Sequence, residues 1–367
     1  MKIAVDGYEM AERFTGVGRV IHNLLPSLSL RFPSCTFYIL TDKDIPEFPQ
    51  KNIQTIRLHS KKGYFFWQNG PFHKELKVLE PDVLIAFNYT VPLFSRWKTI
   101  LYEHDVSFAA HPEWFNRLDA KKRKFLVKRS LKKAHTVVTV SEFSRSEILK
   151  FYRVDPGKVK VLYHGVEDKF THPGEREIRS WKKKKGLEGK QVIGFLGSIF
   201  NRRHVPALAE AIRRLRYEFP DLHLYAIGKD LTHPPQNISR LFQEEWILWE
   251  PSIGEEELPL FYSSLEGLAY LSEYEGFGLP PLEALFCGTV PLLLEKTALK
   301  EIYTGLAFMV EEPDVSLIRD ALKDVLVDQE QKRAIFERFT KKRSSFTLKR
   351  FVDEFSQLLN PFIKENA

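Results

Sequence analysis

Short runs of apolar, often β-branched residues alternate with longer amphipathic stretches along almost the whole chain. Several of the short runs are nearly all apolar, as expected of strands that are covered on both faces. This alternation is typical of parallel α/β folds, in which helices connect successive strands. We predict strands at residues 2–6, 36–40, 53–58, 82–87, 99–103, 136–140, 159–163, 192–197, 222–227, 246–249, 267–271 and 290–294. Helices are predicted at residues 20–30, 73–79, 117–133, 142–152, 205–219, 255–263 and 280–286. In the tail, at residues 313–363, we predict helices only.

The alternation is interrupted in the polar, glycine-punctuated segment at residues 175–191. We interpret this segment as a linker and the lead-in to a second domain, because the alternation restarts directly after it. A length of 367 residues also suggests two domains, at roughly 100–200 residues each. The sequence therefore predicts an α/β fold of two Rossmann-like domains, at residues 1–172 and 173–346, that face each other across a ligand-binding cleft.

Charge is distributed unevenly along the chain, whose formal net charge is +7. Residues 1–170 carry 28 basic and 18 acidic side chains, whereas the remainder is slightly acidic. A basic half indicates an anionic partner: phosphate groups, a membrane surface or nucleic acid. No apolar run reaches the roughly 18 residues that span a bilayer. The N-terminal apolar run is too short for a signal peptide, and two cysteines are too few for a disulfide framework, so we expect a reduced, cytoplasmic protein.

The strongest local signal is the segment EGFGLPPLE at residues 275–283, which follows a predicted strand and opens a predicted helix. Gly276 and Gly278 let the backbone approach a ligand, and the prolines suit a first helical turn, whose N–H groups and dipole favour an anion. Glu283, placed in that first turn, is better suited to the vicinal hydroxyls of a ribose than to a phosphate. Glu275 is suited to a sugar hydroxyl. The alternative is one exposed glutamate and one glutamate that stabilises the helix start.

Three other segments at strand ends are candidate ligand sites. Gly16 and Gly18 precede a helix, where a phosphate can approach, but a tight turn explains them equally well. The third glycine of a dinucleotide fingerprint is missing, which disfavours NAD. Arg202 and Arg203 are good diphosphate ligands unless they form a solvated pair. For His104, a functional role and a core histidine are evenly balanced.

A basic run occupies the predicted helix at residues 117–133. On a helix this run is amphipathic and basic, so it suits contact with anionic lipid, although a solvated helix face explains it equally well. The candidate contact residues are Lys121, Lys122, Arg123, Lys124, Lys128 and Arg129. Asp42 and Asp44 imitate an Asp-x-Asp metal motif, but they lie on a polar turn away from the other motifs, and we predict no metal site.

Together these segments resemble glycosyltransferase family 4, a group of retaining transferases with the GT-B fold. Residues 275–283 match the family's Glu-x7-Glu motif in the form EGFGLPxLEA. The family's other blocks resemble, in the right order, MKIAVDGYEM…TGVGR, TILYEHDVSFAAHPEWF, VVTVSEFSRSEI and GSIFNRRHVPALAEA. The resemblance covers nearly the whole chain. It implies an acceptor domain at residues 1–172, a donor domain at residues 173–346 and a C-terminal helix, at about residues 347–367, that packs back on the acceptor domain.

The resemblance also implies roles for the candidate residues. Glu283 would bind the ribose of a nucleoside diphosphate sugar, and Glu275 would contact the donor sugar. Arg203 stands where the family has a diphosphate-binding lysine, with Arg202 before it, whereas Ser198 occupies a position that is often basic. The remaining donor contacts would come from the backbone of Gly276, Phe277 and Gly278, from Gly16 and Gly18 at the diphosphate, and from His104 at the reacting face of the sugar.

The implied activity is transfer of a hexose to a glycan or lipid-linked acceptor, with retention and without a metal ion. Our guess for the donor is GDP-mannose, and for the setting a bacterial surface-polysaccharide pathway with peripheral contact at the inner face of the cell membrane. The competing functions are a nucleotide-sugar epimerase or a phosphorylase, although no motif fits the pyridoxal lysine of a phosphorylase. A non-catalytic nucleotide- or glycan-binding subunit and a nucleic-acid-binding protein are further alternatives, but no nucleic-acid-binding motif is present.

Overall fold

The structure is a computed structural model that describes residues 1–10, 16–60, 62–236 and 238–364. The chain divides into two compact units. The first unit consists of Met1–Gly165 and the segment that begins at Leu348, and the second unit is Val166–Thr347. The first unit thus ends at Gly165 rather than at residue 172. Each unit contains one parallel sheet with helices, which confirms the predicted α/β class.

The described residues of the first unit form a sheet of seven parallel strands. They are β1 Lys2–Asp6, β2 Thr36–Thr41, β3 Ile53–Arg57, β4 Val83–Ala86, β5 Lys98–Glu103, β6 Thr136–Thr139 and β7 Val159–Val161. Their order in the sheet is β3-β2-β1-β4-β5-β6-β7. In the register of the central strands, Ile3 lies opposite Phe37 of β2 and opposite Val83 of β4. Every residue of β4 is buried, which explains why its sequence is an unbroken apolar run.

In the part of the first unit that the structure describes, six α-helices accompany these strands before the chain leaves the unit. They are α1 Gly16–Arg31, α2 Tyr64–Trp67, α3 His73–Leu79, α4 Ser107–Ala110, α5 Arg117–Lys133 and α6 Glu142–Phe151. The sequence pattern predicts α3 and α5 at both ends. It misses α2, which is a single turn that continues through a kinked π-helix, Gln68–Phe72, into α3. Trp67 and Phe72 from this connection are fully buried in the core.

The described residues of the second unit form six parallel strands and eight α-helices. The strands are β8 Gln191–Leu196, β9 Leu222–Ile227, β10 Ile247–Glu250, β11 Gly267–Tyr270, β12 Pro291–Leu294 and β13 Phe308–Val310. Their order in the sheet is β10-β9-β8-β11-β12-β13. The helices are α7 Glu175–Lys184, α8 Val205–Leu215, α9 Ile238–Leu241, α10 Leu258–Ser263, α11 Leu279–Phe286, α12 Thr297–Tyr303, α13 Val315–Val327 and α14 Gln329–Lys342.

The segment interpreted from its sequence as a linker contains α7, so that interpretation is wrong for Glu175–Lys184. Ile178 and Trp181 are buried and lie three residues apart, which places both on one face of the helix. The polar composition that suggested a linker belongs to the exposed side of an amphipathic helix. The two units therefore divide before α7, and not within it.

The last helix, α15 at Leu348–Lys364, belongs to the first unit. The rings of Phe355 and Phe87 stack with their centroids 6.3 Å apart, and Phe351 packs against His164. Arg350 Nη2 donates a hydrogen bond to the carbonyl of Tyr163 at 2.6 Å. The final turns of the chain thus complete the core of the unit that contains its first strand.

Both sheets reverse their strand order at one point. In the first sheet β1 lies between β2 and β4, and in the second β8 lies between β9 and β11. Parallel sheets bind ligands outside the carboxyl ends of the strands at such a switch point, where the connections on the two sides diverge. The loops after β1 and β4, and those after β8 and β11, are therefore the candidate ligand-binding sites.

Candidate functional site

Two loops flank the switch point of the second sheet, at residues 197–204 after β8 and residues 271–278 after β11. The N–H of Glu273 donates to the carbonyl of Arg202 at 3.0 Å. His204 Nε2 lies 2.7 Å from Glu273 Oε1. His204 has a φ of 50°, in the left-handed region that few non-glycine residues adopt. These contacts hold the two loops against each other at the point where the fold favours a ligand.

A largely buried ion pair joins the same two loops. Arg203 Nη2 donates to Glu275 Oε1 at 2.9 Å and to the hydroxyl oxygen of Tyr270 at 3.1 Å. The Tyr270 hydroxyl donates in turn to Glu275 Oε1 at 2.9 Å, and Arg203 Nη1 donates to the carbonyl of Ser198. The side chains of Arg203 and Glu275 are only 12% and 17% exposed. Arg203 is therefore not part of a solvated pair, and the structure brings it together with the predicted sugar ligand Glu275.

The neighbouring predicted residues lie around this cluster. Arg202 stacks its guanidinium 4.2 Å from the centre of the Phe200 ring. Gly278 has a φ of 88°, and a Cβ there would lie 2.7 Å from Leu299 Cδ2, so only glycine fits without strain. Phe277 is 4% exposed, which fits a packing role better than a contact with a ligand. The glycine-rich turn thus leads directly into α11, as predicted.

The position of Glu283 differs from the prediction. Helix α11 begins at Leu279, one residue earlier than predicted, so Glu283 lies beyond its first turn. Its side chain is 2% exposed, and Oε2 accepts a hydrogen bond from the Tyr262 hydroxyl at 2.7 Å. Burial of a carboxylate requires such partners, because an unpaired charge is costly in the interior. The contact of Glu283 with a ribose stays a prediction.

Three residues that the sequence motifs do not identify hold this cluster in place. Tyr270 and Tyr262 donate their hydroxyls to Glu275 and Glu283. Thr297 accepts the Glu275 N–H through its hydroxyl oxygen at 3.3 Å, and its φ of 54° is strained for a β-branched residue. Only Tyr270 had a usable signal, since it lies in the predicted strand at residues 267–271, one residue before its carboxyl end.

In the first unit, His104 lies directly after β5 among aromatic rings. Its Nε2 lies 3.1 Å from the carbonyl of Phe87, which makes this nitrogen the N–H donor. The centroid of the Tyr102 ring lies 4.7 Å away. Burial lowers the pKa of His104 to about 4, so the ring is neutral at pH 7. The structure thus shows a satisfied, neutral histidine, and its role beside a donor sugar stays a prediction.

Glu103, the last residue of β5, is a buried carboxyl that the sequence analysis did not single out. Its side chain has no exposure, and neither oxygen has a hydrogen-bond partner among the described residues. The hydroxyl of Tyr152 is likewise buried without a partner in that set. Burial, with a smaller contribution from Asp105, raises the pKa of Glu103 well above its usual value. A buried carboxyl with a raised pKa therefore lies at the carboxyl end of a strand inside the first sheet.

A cavity of about 570 Å³ lies at the switch point of the first sheet. Its walls come from the loops after β1 and β4, from α2 and from one side of α5. Gly16 lines the cavity, whereas Gly18 is buried and a Cβ there would lie 2.5 Å from the carbonyl oxygen of Glu9. Gly18 therefore serves the close approach of two backbone segments, and the donor role of both glycines stays a prediction. Thr15, the first residue of their motif, lies outside the described residues.

A buried hydrogen-bond network lies next to this cavity. The hydroxyl of Tyr64 donates to Asp6 Oδ2 at 2.6 Å, and Gln68 Nε2 donates to the same hydroxyl oxygen and to the carbonyl of Thr90. Asp6 also accepts the N–H of Tyr8 at 3.1 Å. Burial raises the pKa of Asp6 to about 7, although the hydrogen bonds from Tyr64 and Tyr8 oppose this rise. The network fixes the orientation of Tyr64 and Gln68, both of which line the cavity.

Helix α5 carries the predicted membrane-contact residues. From Asn116 to Phe125 every residue except Ala120 is exposed. Lys122 and Arg123 face the 570 Å³ cavity, whereas Lys121 and Lys124 face a second groove of about 400 Å³. The other two predicted residues, Lys128 and Arg129, lie one turn further along the helix, where Lys128 is exposed and Arg129 is partly buried.

Apolar side chains accompany these lysines. Leu118 and Phe125, seven residues apart on α5, are 77% and 64% exposed.

Across the described ranges, no helix combines the length and the apolarity that crossing a bilayer requires. Among the same residues, no three His, Cys, Asp or Glu side chains form a group that could hold a metal ion. Asp42 and Asp44 lie in a bend after β2, where Asp44 pairs with Arg57.

Two Rossmann-like units, with a Glu-x7-Glu segment at the switch point of the second, have the GT-B fold that the sequence predicts. Two family models match this chain: Glycosyltransferase Family 4 over residues 14–170, and Glycosyl transferases group 1 over residues 177–343. The chain belongs to glycosyltransferase family 4, as its sequence motifs indicated.

Curated relatives match at low identity. The O-antigen chain mannosyltransferase B of Escherichia coli is 26% identical over 61% of this chain and 60% of its own length. The O-antigen chain mannosyltransferase RfbU of Salmonella typhimurium is 24% identical over 77% of this chain and 75% of its own length. A serotype-specific mannosyltransferase WbdA of Escherichia coli matches over 44% of its own length, so the chain spans less than half of that relative.

Solved structures match over nearly the full chain. Anabaena Alr3699/HepE in complex with UDP and glucose superposes with a TM-score of 0.79 and 15% identity, covering 98% of this chain and 100% of that one. Sucrose-phosphate synthase from Thermosynechococcus elongatus gives a TM-score of 0.83 and 16% identity, with complete coverage of both chains. WaaG, a glycosyltransferase involved in lipopolysaccharide biosynthesis, gives 0.79 and 15% identity over 97% of this chain and 99% of its own. At these identities, the similarity establishes the fold alone.

Proposed function

We propose that the protein is a retaining glycosyltransferase that moves a hexose from a nucleoside diphosphate sugar to a glycan or lipid-linked acceptor. The observation that carries the proposal is the cluster of Arg203, Glu275 and Tyr270 at the switch point of the second sheet. A guanidinium and a helix start suit a diphosphate, and a carboxylate suits sugar hydroxyls. Relatives named as mannosyltransferases support mannose as the hexose, and GDP-mannose is our proposal for the donor.

In the proposed reaction, the bond from C1 of the donor sugar to the diphosphate oxygen breaks, and its electron pair leaves with the diphosphate. The acceptor oxygen bonds to C1 on the same face, and its proton passes to an oxygen of the leaving diphosphate. Arg203 and the N–H groups at the start of α11 would stabilise the growing negative charge. The Nε–H of Arg203 is buried without a partner among the described residues, so the guanidinium has a donor left for a phosphate oxygen. Neither a protein nucleophile nor a metal ion is required in this scheme.

The test is a panel of GDP-, UDP-, ADP- and dTDP-sugars, scored by thermal unfolding and by slow donor hydrolysis. We expect one nucleotide at about 100 Kd to stabilise the protein by roughly 2.7 kcal/mol, or about 5–10 °C. Glu283→Ala and the more conservative Glu283→Gln should lose this shift. Glu188→Ala, an exposed glutamate of the same unit, is the control and should keep it.

The other outcomes separate the competing functions. Conversion of the donor sugar without an acceptor would favour an epimerase. Stabilisation without hydrolysis or transfer would favour a non-catalytic binding subunit. Binding of nucleic acid with steep salt dependence and indifference to Glu283 would favour the nucleic-acid alternative. A shift that survives both Glu283 variants would remove that residue from the ribose site.

We also propose that the exposed half of α5 contacts anionic lipid. Its lysines would bind the lipid phosphates, and Leu118 and Phe125 are exposed on the same helix for burial at the interface. A lysine near an anionic surface contributes about 1 kcal/mol, so removing three should weaken binding by roughly 100-fold. In flotation at low salt with phosphatidylglycerol vesicles, Lys121→Gln/Lys124→Gln/Lys128→Gln should therefore lose binding. The charge-matched variant Lys132→Gln/Lys150→Gln/Lys160→Gln should still bind the vesicles. If the wild type does not float with the vesicles, the proposal of lipid contact is wrong.

A further inference from the structure

We propose that the 570 Å³ cavity of the first unit binds a saccharide that carries a phosphate group. The inference rests on the proposed function, because the bound saccharide would be the acceptor. It goes beyond that function by assigning a substrate class to a specific set of side chains. The cavity lies within a single unit, outside the carboxyl ends of β1 and β4, and its volume falls in the range of roughly 300–1,000 Å³ that is typical of small-molecule sites.

The walls of the cavity combine aromatic faces with a few polar groups, as expected of a saccharide site. Tyr64, Phe65, Tyr89 and Phe108 supply the aromatic surface against which the C–H face of a sugar ring can pack. Asn88 Nδ2 donates to Glu9 Oε1 at 3.3 Å, which places an amide and a carboxylate side by side. Such a pair offers both donors and acceptors to sugar hydroxyls.

The polar and aromatic walls are held in place before any ligand binds. Tyr64 is fixed by its hydrogen bond to Asp6, which is itself 1% exposed. Tyr89 has a φ of 59°, a strained conformation for an aromatic residue. Strain of this kind persists where the surrounding structure imposes it, and it is concentrated at ligand sites. Tyr89 is the third residue after β4, so the strained backbone lies in the loop at the switch point.

Two cations supply the contact with phosphate. Lys122 and Arg123 line the same cavity, and Lys122 Nζ lies 4.3 Å from the centre of the Phe65 ring, so its charge is held against the aromatic wall. Glu9 and Asp119 also line the cavity and oppose a bare anion. The site therefore suits a ligand with hydroxyls at one end and a phosphate at the other, rather than free phosphate. Helix α5 as a whole carries nine basic residues and one acidic residue. The phosphate end of the ligand should therefore lie on the α5 side of the cavity.

A sugar phosphate could be a soluble molecule or the headgroup of a lipid, and the chemistry in this cavity is the same for both. The second groove lies on the other side of α5 and shares Phe108 with the cavity. Ala109, Pro112 and Ala120 give it an apolar floor, and Arg117, Lys121 and Lys124 line it as well. A hydrocarbon tail attached to the phosphate would gain affinity there, whereas a soluble sugar phosphate would not.

The test measures binding to the full chain by calorimetry in the absence of any donor. The probes are the 1-phosphates of mannose, glucose and galactose, the matching methyl glycosides, and inorganic phosphate. We expect one hexose 1-phosphate to bind at least tenfold more tightly than its methyl glycoside and than inorganic phosphate. Lys122→Gln/Arg123→Gln should abolish that difference, and the charge-matched Lys132→Gln/Lys160→Gln should retain it. To distinguish a lipid headgroup from a soluble sugar phosphate, we would compare the affinity for a farnesyl diphosphate hexose in detergent with that for the same hexose diphosphate without the tail.

Each result decides the proposal. If the phosphate and methyl forms bind equally, if no probe binds at millimolar concentration, or if the control pair removes the preference as well, the proposal is wrong. A tenfold gain from the farnesyl tail assigns a lipid headgroup, and equal affinity assigns a soluble sugar phosphate. Donor hydrolysis is measured on the same samples. Hydrolysis without acceptor binding would overturn this inference alone, whereas binding without hydrolysis would count against the proposed function.

Discussion

Arg203→Met should lower kcat for sugar transfer by about 100- to 1,000-fold, with a much smaller change in the KM of the donor. The guanidinium lies in a largely buried cluster with Glu275 and Tyr270, where charge is weakly screened. In the proposed reaction its contribution grows as the diphosphate leaves, and removing one such preorganised donor from an active site typically costs this much. The measurement is steady-state transfer and donor hydrolysis.

Two further variants separate charge from shape. Arg203→Lys keeps the charge but not the planar fork that reaches Glu275 and Ser198 together, so it should stay within about tenfold of the wild type. Arg213→Met removes an exposed arginine that pairs with Glu210 on α8, and it should change nothing measurable. A rise in KM with kcat unchanged would show that Arg203 binds ground state and transition state equally, contrary to the proposal.

Glu103→Leu should raise the free energy of unfolding at pH 7 by about 2 kcal/mol, or roughly 4–8 °C in Tm. The carboxyl is fully buried and has no partner among the described residues, so an apolar side chain of similar size removes a desolvation cost. Glu103→Gln should gain less, because an unsatisfied amide remains. Glu188→Leu, at an exposed site, is the control.

The gain from Glu103→Leu should depend on pH. Because the pKa of Glu103 is raised in the folded state, the folded protein retains a proton that the unfolded chain releases near the ordinary pKa of glutamate. The stabilising contribution of the carboxyl is thus complete below that ordinary value and is lost as the pH rises above it. The gain from the substitution should therefore be smallest near pH 4, where it removes only the cost of burying a neutral carboxyl, and largest near pH 7. Destabilisation at pH 7 would show that the carboxyl has a partner, such as a bound water.

Local patterns predicted most strands and most of the longer helices, and they missed several other elements. Helix α5 was predicted at both ends from its amphipathic sequence pattern, and the structure adds that the Asn116 side chain caps its start. Strand β13 has only three residues, and α2 has four, so neither shows a period. Helix α7 was mistaken for a linker because its buried face needs only Ile178 and Trp181, while lysines dominate its composition. Tertiary packing, and not local sequence, decides such elements.

The candidate site of the second unit was predictable because its key residues occur in two short motifs. Arg203 and Glu275 each follow a strand, and strand ends meet at one edge of a parallel sheet. The ion pair between them was not predictable, since it depends on Tyr270 and on the strained backbone at Thr297. The cavity of the first unit was missed because its walls come from positions between Glu9 and Val127 that share no motif.

The return of α15 to the first unit has a consequence for synthesis on the ribosome. Every residue of the second unit emerges before α15 does, so the second unit can close as an uninterrupted segment. The first unit has its whole sheet by then, but it lacks the helix that covers Phe87 and His164. The unit that is translated first is thus completed last. A nascent chain stalled before Leu348 exposes apolar core surface on its oldest part, which is the kind of surface that chaperones bind.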